Sequence, residues 1–380
     1  MIGLLGITVE VAGRTITTTA GDTFPQDVLP RLTSYEHTIV ATGGFESCTL
    51  AFVAEDVAEA LTWADRLFSA VTCRGPDVDV IWRGRIHQVT MTVAGRTRSY
   101  SLDGVANRVR CRYTTVLGTP GVTAATSNAA SIALYGVRDA VLSLGTTSLA
   151  GAQALRDAYL ADRAFPRGQG ATTLETSSAG GGVEVTLACV GLYYTLDQVV
   201  LERTDTATEA TTAQIATLIS GISLVNALIL NALATPTPAD GVLQTRKIEA
   251  DTTYRTAIEQ RLGMGNTSGR RYAWGVYEDG ALLIKVWAPN TGGARRYQLR
   301  LADSVILTDL GAPVELWQAR PDIMAEDADL ISLAPPSGAV ESPSSFYVER
   351  VTFGVDTGGM RLSLEPSDNT NLTARLARVS

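Results

Sequence analysis

Residues 78–114 read VDVIWRGRIHQVTMTVAGRTRSYSLDGVANRVRCRYT, and their pattern decides the fold class. Val89, Met91 and Val93 alternate with polar neighbours, as do Val109, Cys111 and Tyr113. That is the period of a strand half buried in a sheet. Between the two runs, Ala94-Gly95 marks a tight turn, because glycine takes positive φ without a steric penalty. The stretch therefore reads as a strand, a Trp82-Arg83-Gly84 pivot, a second strand, the turn, a third strand, a short helix and a closing strand. On the closing strand Arg108, Arg110 and Arg112 share the face opposite Val109 and Cys111. The stretch contains no obvious reactive group.

The same texture extends outward. Ile7, Val9 and Val11 alternate with Thr8 and Glu10, and VAGRT occurs at 11–15 as well as at 93–97, each time as a hairpin turn. Residues 43–55 read as a strand. A helix follows, with Asp56 as its N-cap and Val57, Leu61, Ala64 and Phe68 at helical spacing. Further on, SLAGAQALRDAYLADRAFP predicts a helix with Leu149, Ala152, Leu155 and Tyr159 on one face, ended by Pro166. Val183, Val185 and Leu187 mark another strand. From about residue 203 the texture is mixed: a helix over TDTATEATTAQIATLISGI, a TPTPAD linker, a helix over TYRTAIEQRLGMGN stopped by Gly263 or Gly265, and a hairpin. In the hairpin Tyr272, Trp274 and Val276 face Ile284 and Val286 across Asp279-Gly280. Residues 346–366 return to β around a Thr-Gly-Gly turn, after an exposed loop or linker at 334–345.

Composition bounds the function. The chain has 380 residues, 45% hydrophobic and 18% charged, which fits a folded protein of several domains. Its formal net charge of -8 argues against coating nucleic acid, which requires a positive footprint. Lys occurs only at Lys247 and Lys285, so Arg carries nearly all positive charge. Cys48, Cys73, Cys111 and Cys189 have no metal-ligand spacing and sit in apolar, strand-like contexts, which predicts buried thiols. The N-terminus lacks the basic and apolar regions of a signal peptide. The most apolar run, 222–234, is shorter than the roughly 20 residues that span a bilayer.

Reactive constellations are sparse. Glu278-Asp279 is explained by turn geometry, and Glu326, Asp327 and Asp329 read as a polar loop. His37 and His87 lie in strand-like runs with no G-x-S-x-G elbow nearby. MGNTSG at 264–269 lacks the Lys of a phosphate-binding loop. Trp274, Tyr277, Trp287 and Trp317 make a sugar-stacking face conceivable, although aromatics also enrich sheets because they pack well. The reading is no enzyme, no cofactor and no metal. For the stripe of Arg108, Arg110 and Arg112 two accounts stand: a solvated outer face that blunts a sheet edge, or a subunit interface meeting carboxylates.

In its W-x-G-x-I passage at 82–86, in LDGVANRVRCRY at 102–113, and in SIALYGVR at 131–138, the chain resembles the tail hub family of tailed bacteriophages. That group includes late control protein D-like hubs and the N-terminal hub part of tail-associated proteins. The resemblance implies a mainly β protein of two β-barrel hub domains plus a smaller α/β domain. On this view 1–115 is the first barrel and 116–202 is the second barrel region with its helix. Residues 203–333 form an α+β insert, and 334–380 a hairpin region that completes the second barrel. It further implies a homotrimeric ring at a tail tip or baseplate. The ring's partners are the tail tube, distal tail and tape-measure proteins, and DNA passes through it without specific binding. Such a chain has no membrane-spanning segment, and is assembled in the host cytoplasm into the virion tail. The alternative is a β-rich receptor- or carbohydrate-binding distal tail component.

Overall fold

A computed structural model describes residues 7–11, 14–17, 32–75, 80–171, 182–201, 209–210, 213–215, 217–218, 243–244, 248–263, 272–277, 280, 282–286, 296–300, 308–309, 330–334, 344–356 and 359–366. The protein is mainly β, as the sequence predicts. Its centre is the strand Val80–Val93, whose alternating buried side chains include Ile86, Val89, Met91 and Val93. Along one edge it pairs antiparallel with Val183–Gly191. Along the other it pairs first with Ala70–Arg74 and then with Arg96–Ser101. Beyond these lie Gly43–Ala54, Leu32–Val40 and Ser344–Asp356 on one side and Thr8–Val11 on the other.

Two local expectations change here. Trp82-Arg83-Gly84 does not break the strand. The change of partner occurs at Ile86 and His87, where Ile86 exchanges backbone hydrogen bonds with Phe68 and Ser69, and the His87 carbonyl accepts from Leu102 N. Nor do residues 102–107 form a helix. Gly104 has a φ of 73° and Leu102 O accepts from Val105 N, so a turn fits the six residues that a helix would have to nucleate in. The 93–97 hairpin is as expected: Ala94 and Gly95 both have positive φ, and Val93 faces Arg96.

The helix Val57–Ala64 lies on this sheet, with the Asp56 side chain accepting from Glu59 N at 2.8 Å. Its buried residues are Ala60 and Trp63, and the Trp63 ring meets Phe52 edge-on at 4.8 Å. Leu61 is exposed. Phe68 lies beyond the helix with a φ of 67°. The expected stripe fails because it extends helical spacing past a helix that stops at Ala64.

After Arg96–Ser101 the chain leaves the large sheet and builds a small unit. Arg108–Thr114 is its central strand. It pairs antiparallel with Pro120–Val122 and Thr126–Ser127, and parallel with Asp139–Thr146. The parallel pair requires a crossover, and the short helix Ala129–Tyr135 lies in that crossover. The helix Leu149–Arg163 covers one face, enclosing Ala106, Val109, Leu160 and Ala164. Its buried residues are Ala152, Arg156 and Leu160; Leu149 and Leu155 of the predicted face are exposed. The chain rejoins the large sheet through Gly168–Gly170, which pairs with Arg96–Ser101.

Pairings also join segments that the sequence reading assigns to different units. Val183–Gly191, from 116–202, lies between two strands of 1–115. Ser344–Asp356, from the region expected to complete the second barrel, pairs with Leu32–Val40. Periodicity identifies strands but holds no information on which distant strand is the partner.

Gly84 explains the Trp-Arg-Gly triplet. A Cβ there would lie 2.2 Å from Val190 O and 2.3 Å from the Trp82 ring, so the buried indole covers bare backbone. Gly84→Ala is expected to cost about 1–3 kcal/mol by overpacking, measured as a lowered urea midpoint. An unchanged midpoint would show that the strand gives way freely.

Candidate interface on the arginine strand

Arg108, Arg110 and Arg112 point away from the cluster around Val109, toward two crossing segments. The Arg108 guanidinium grips Asp139 in two parallel contacts, Nε to Oδ1 at 2.5 Å and Nη2 to Oδ2 at 2.7 Å. Asp139 Oδ2 also accepts from Val200 N at 2.9 Å. Arg110 donates to Leu201 O at 2.8 Å and pairs with Asp251. Arg112 donates to Ala250 O at 3.1 Å and pairs with the same carboxylate. The stripe thus meets carboxylates of its own chain.

Those crossing segments form a neck. Leu201 and Asp251 to Thr252 exchange backbone hydrogen bonds, Tyr254 N donates to Val199 O at 3.0 Å, and Val200 bridges to Thr253. Val199–Leu201 and Asp251–Tyr254 therefore lie side by side, and Arg110 and Arg112 hold both sides of the neck. Asp251 has a φ of 69°, a left-handed conformation that Asp tolerates better than most side chains. Side-chain exposure falls to 13% at Arg108 and 11% at Arg110 but is 48% at Arg112. Only Arg112 offers substantial surface to another molecule.

Beside the clamp lies a buried polar joint built from two passages far apart in sequence. Asn107 Nδ2 donates to Gly136 O at 2.7 Å and to Ser131 Oγ at 3.2 Å, while its Oδ1 accepts from Arg138 N at 2.7 Å. Ser131 in turn donates to Ala164 O. The Arg138 side chain donates to Gln198 Oε1 at 2.9 Å and Leu102 O at 3.3 Å. Burial pushes the Arg138 guanidinium down to about 10, opposed by the nearby charge of Asp103. Arg85 and Arg138 both lie over the Phe68 ring, 5.0 and 5.6 Å from its centroid.

Next to the joint, His87 Nε2 lies 2.7 Å from Asp103 Oδ1, and Ser101 Oγ donates to Asp103 Oδ2 at 3.0 Å. Burial raises the Asp103 carboxyl, but contacts with His87 and Ser101 and the charge of Arg138 outweigh it and hold the group below its usual range. His37 is buried between strands, with its ring against Tyr35 and Phe353.

The remaining candidates resolve into packing. Trp274 donates to Tyr193 OH at 2.9 Å, and the buried Tyr277 meets Phe45 edge-on. The two rings thus belong to different contacts. All four cysteines are buried free thiols. Trp287, Trp317, Glu278, Asp279, Glu326, Asp327, Asp329, the 264–269 loop and the 222–234 run lie outside the described residues. Among the described residues no group of three or more His, Cys, Asp or Glu is placed to hold a metal ion, and no helix is long and apolar enough to cross a membrane. The sequence reading missed Asp251 and Asp139 as the partners of the stripe. Asp139 follows Arg138 directly at the start of a strand, whereas Asp251 carries no local signal.

No protein-family model matches the chain, and no curated protein does. Among solved structures it is similar to a 43 kDa tail protein of prophage MuSo2 from Shewanella oneidensis, at 7% identity and a TM-score of 0.45, covering 96% of each chain. It is similar also to a tail protein from Neisseria meningitidis, at 9% identity and a TM-score of 0.44, over 96% of this chain and 97% of that one. A third is an E. coli type VI secretion component described as resembling bacteriophage T4 tail proteins. There the identity is 8% and the TM-score 0.36, over 95% of this chain and 77% of that one.

Two outcomes test the clamp. Asp251→Asn, which removes the carboxylate that the buried Arg110 shares with Arg112, is expected to cost about 3 kcal/mol. Arg112→Ala should cost under about 1 kcal/mol because that pair is largely solvated. Equal losses in urea titrations would contradict this division. Asp103 supplies a pH test. Its folded-state pKa is depressed, so its contribution is full above the unfolded value near ~3.9 and is lost as pH falls through the folded one. Asp103→Asn should flatten the acid limb of stability against pH; an unchanged limb would assign acid sensitivity elsewhere.

Proposed function

We propose that this chain is a structural component of a phage tail, a hub protein whose copies form a ring between the tail tube and the tip. The observation that carries the reading is the polar joint. The second and third passages through which the sequence resembles the hub family, 102–113 and 131–138, close on each other through Asn107, Ser131, Gly136 and Arg138. The resemblance therefore describes one three-dimensional constellation rather than scattered matches. What that constellation does is fix the small unit against the large sheet. Fixed orientation is what a ring subunit needs.

On this reading the ring is a homotrimer contacting tail tube, distal tail and tape-measure proteins. The net charge of -8 suits a lumen through which DNA slides, since like charge repels phosphate. If the arginine strand contributes to a subunit contact, Arg112 is the member that reaches it. Chemistry on a substrate is assigned to other chains.

Electron cryomicroscopy of particles carrying a tagged chain tests the proposal. Three copies around the central channel at the tip are expected. Peripheral copies that bind glycans would overturn it in favour of a receptor-binding component.

A further inference from the structure

Charge is distributed unevenly along this chain, and the structure gives the gap a location. Residues 113–155 contain only two charged side chains, Arg138 and Asp139, against 18% for the chain as a whole. Both are turned inward: Arg138 is 2% exposed, and the Asp139 side chain 6%. The surface of this stretch is therefore uncharged. It also carries most of the large apolar side chains exposed among the described residues. These include Val116 at 81%, Leu117 at 88% and Val122 at 60%, with Leu134, Leu149 and Leu155 each near half. A surface that loses its charges and gains apolar side chains has the composition of an interface core.

Geometry gathers part of this surface at one end of the small sheet. Thr146 pairs with Thr114, and Thr147 N donates to Thr114 O at 2.9 Å. The turn bearing Val116 and Leu117 therefore sits beside the start of the helix Leu149–Arg163. Asp139–Thr146, the terminal strand of its sheet, ends at this place. Among the described residues nothing pairs with its outer edge, and residues 140–146 carry neither charge nor proline to blunt it. An uncharged, unpaired strand is a template for another strand.

We infer that this face is where a second copy of the same chain docks, with the outer edge of Asp139–Thr146 in the contact. Charge selects the occupant. Two copies that each carry a net charge of -8 repel when they meet through average surface. This face lets them approach without placing like charges opposite each other. A basic partner would be drawn to the acidic remainder of the chain and would gain nothing from a neutral patch. The inference rests on the ring reading and names the surface that closes it.

Sedimentation of the purified full chain at micromolar concentration tests it, with Leu117→Glu, Leu155→Glu and Gly145→Lys as variants. A Cβ at Gly145 meets no atom within 4 Å, so that Lys adds charge to the strand without a clash. Val53→Glu, on an exposed position of the large sheet, is the control. The wild type and the control are expected to self-associate, and each face variant to do so about tenfold more weakly or worse. Far-UV circular dichroism and a cooperative urea transition should be retained, with midpoints equal to the wild type's at concentrations low enough for both to be monomeric, which excludes misfolding as the cause. Self-association that survives all three variants would overturn the assignment of this face while leaving the ring reading intact. A wild type that stays monomeric would also overturn it, and the position in particles would then decide the ring reading by itself. Loss of association in Val53→Glu alone would move the contact to the large sheet.

Discussion

The relation between the two sheets depends on one buried amide. Asn107 is fully enclosed, and both ends of its side chain are satisfied by the crossover that follows the arginine strand. Its backbone joins the same crossover, donating to Arg138 O and accepting from Asn128 N. A buried polar group without partners is costly, so the turn at 102–107 and the crossover at 128–138 are stable only in this arrangement. Arg138 carries the constraint outward, reaching Gln198 on the far side and the Phe68 ring in the turn before the strand Ala70–Arg74. This chain of contacts acts together with apolar contact, since Val105 and Val137 belong to the main core and Ile132 and Tyr135 pack against it, while the small unit's own core is only a few residues deep.

The arginine strand extends the same logic to the neck. Removing guanidinium groups from water is expensive, and forked contacts to a carboxylate offset that cost best. Arg108 has such a fork on Asp139. Arg110 and Arg112 instead share Asp251 and add backbone carbonyls on both sides of the neck. One strand thus holds both sides of the neck, at Leu201 and at Asp251.

How far this was legible in the sequence follows from the range of each interaction. Alternation at 89–93 and 109–113 gave the strands, and Ala94-Gly95 gave the hairpin, because both depend on neighbours a few residues away. Asp56 was readable as a cap for the same reason. The arginines were readable as a stripe, but not their partners: Asp251 is more than a hundred residues away and occupies a left-handed turn that no spacing announces. Strand order was hidden likewise. Val183–Gly191 between two N-terminal strands, and Ser344–Asp356 beside Leu32–Val40, are pairings that only the folded chain defines. Helix faces failed for a different reason. Val57–Ala64 is too short for a stripe, and Leu149–Arg163 turns small Ala152, the stem of Arg156 and Leu160 inward, leaving Leu149 and Leu155 outside.

Those outward leucines connect the internal and external economies of charge. Residues 113–155 use their two charged side chains inside, Arg138 with Gln198 and Asp139 with Arg108. Over that stretch the outer surface has been left to threonine, alanine, leucine and valine, while exposed charges return at Asp157, Asp162 and Arg163. In a monomer that allocation is inverted, since buried ions cost stability and exposed apolar groups cost solubility. It becomes consistent once the outer surface is covered in an assembly. Neutral apolar contacts then form between copies, while the ionic clamps hold each subunit in the orientation that lets those contacts meet. Repulsion between the acidic remainders would limit association to the one face where it is relieved. In a ring that face meets a different patch of the next copy, and such a contact ends only when the rotation closes.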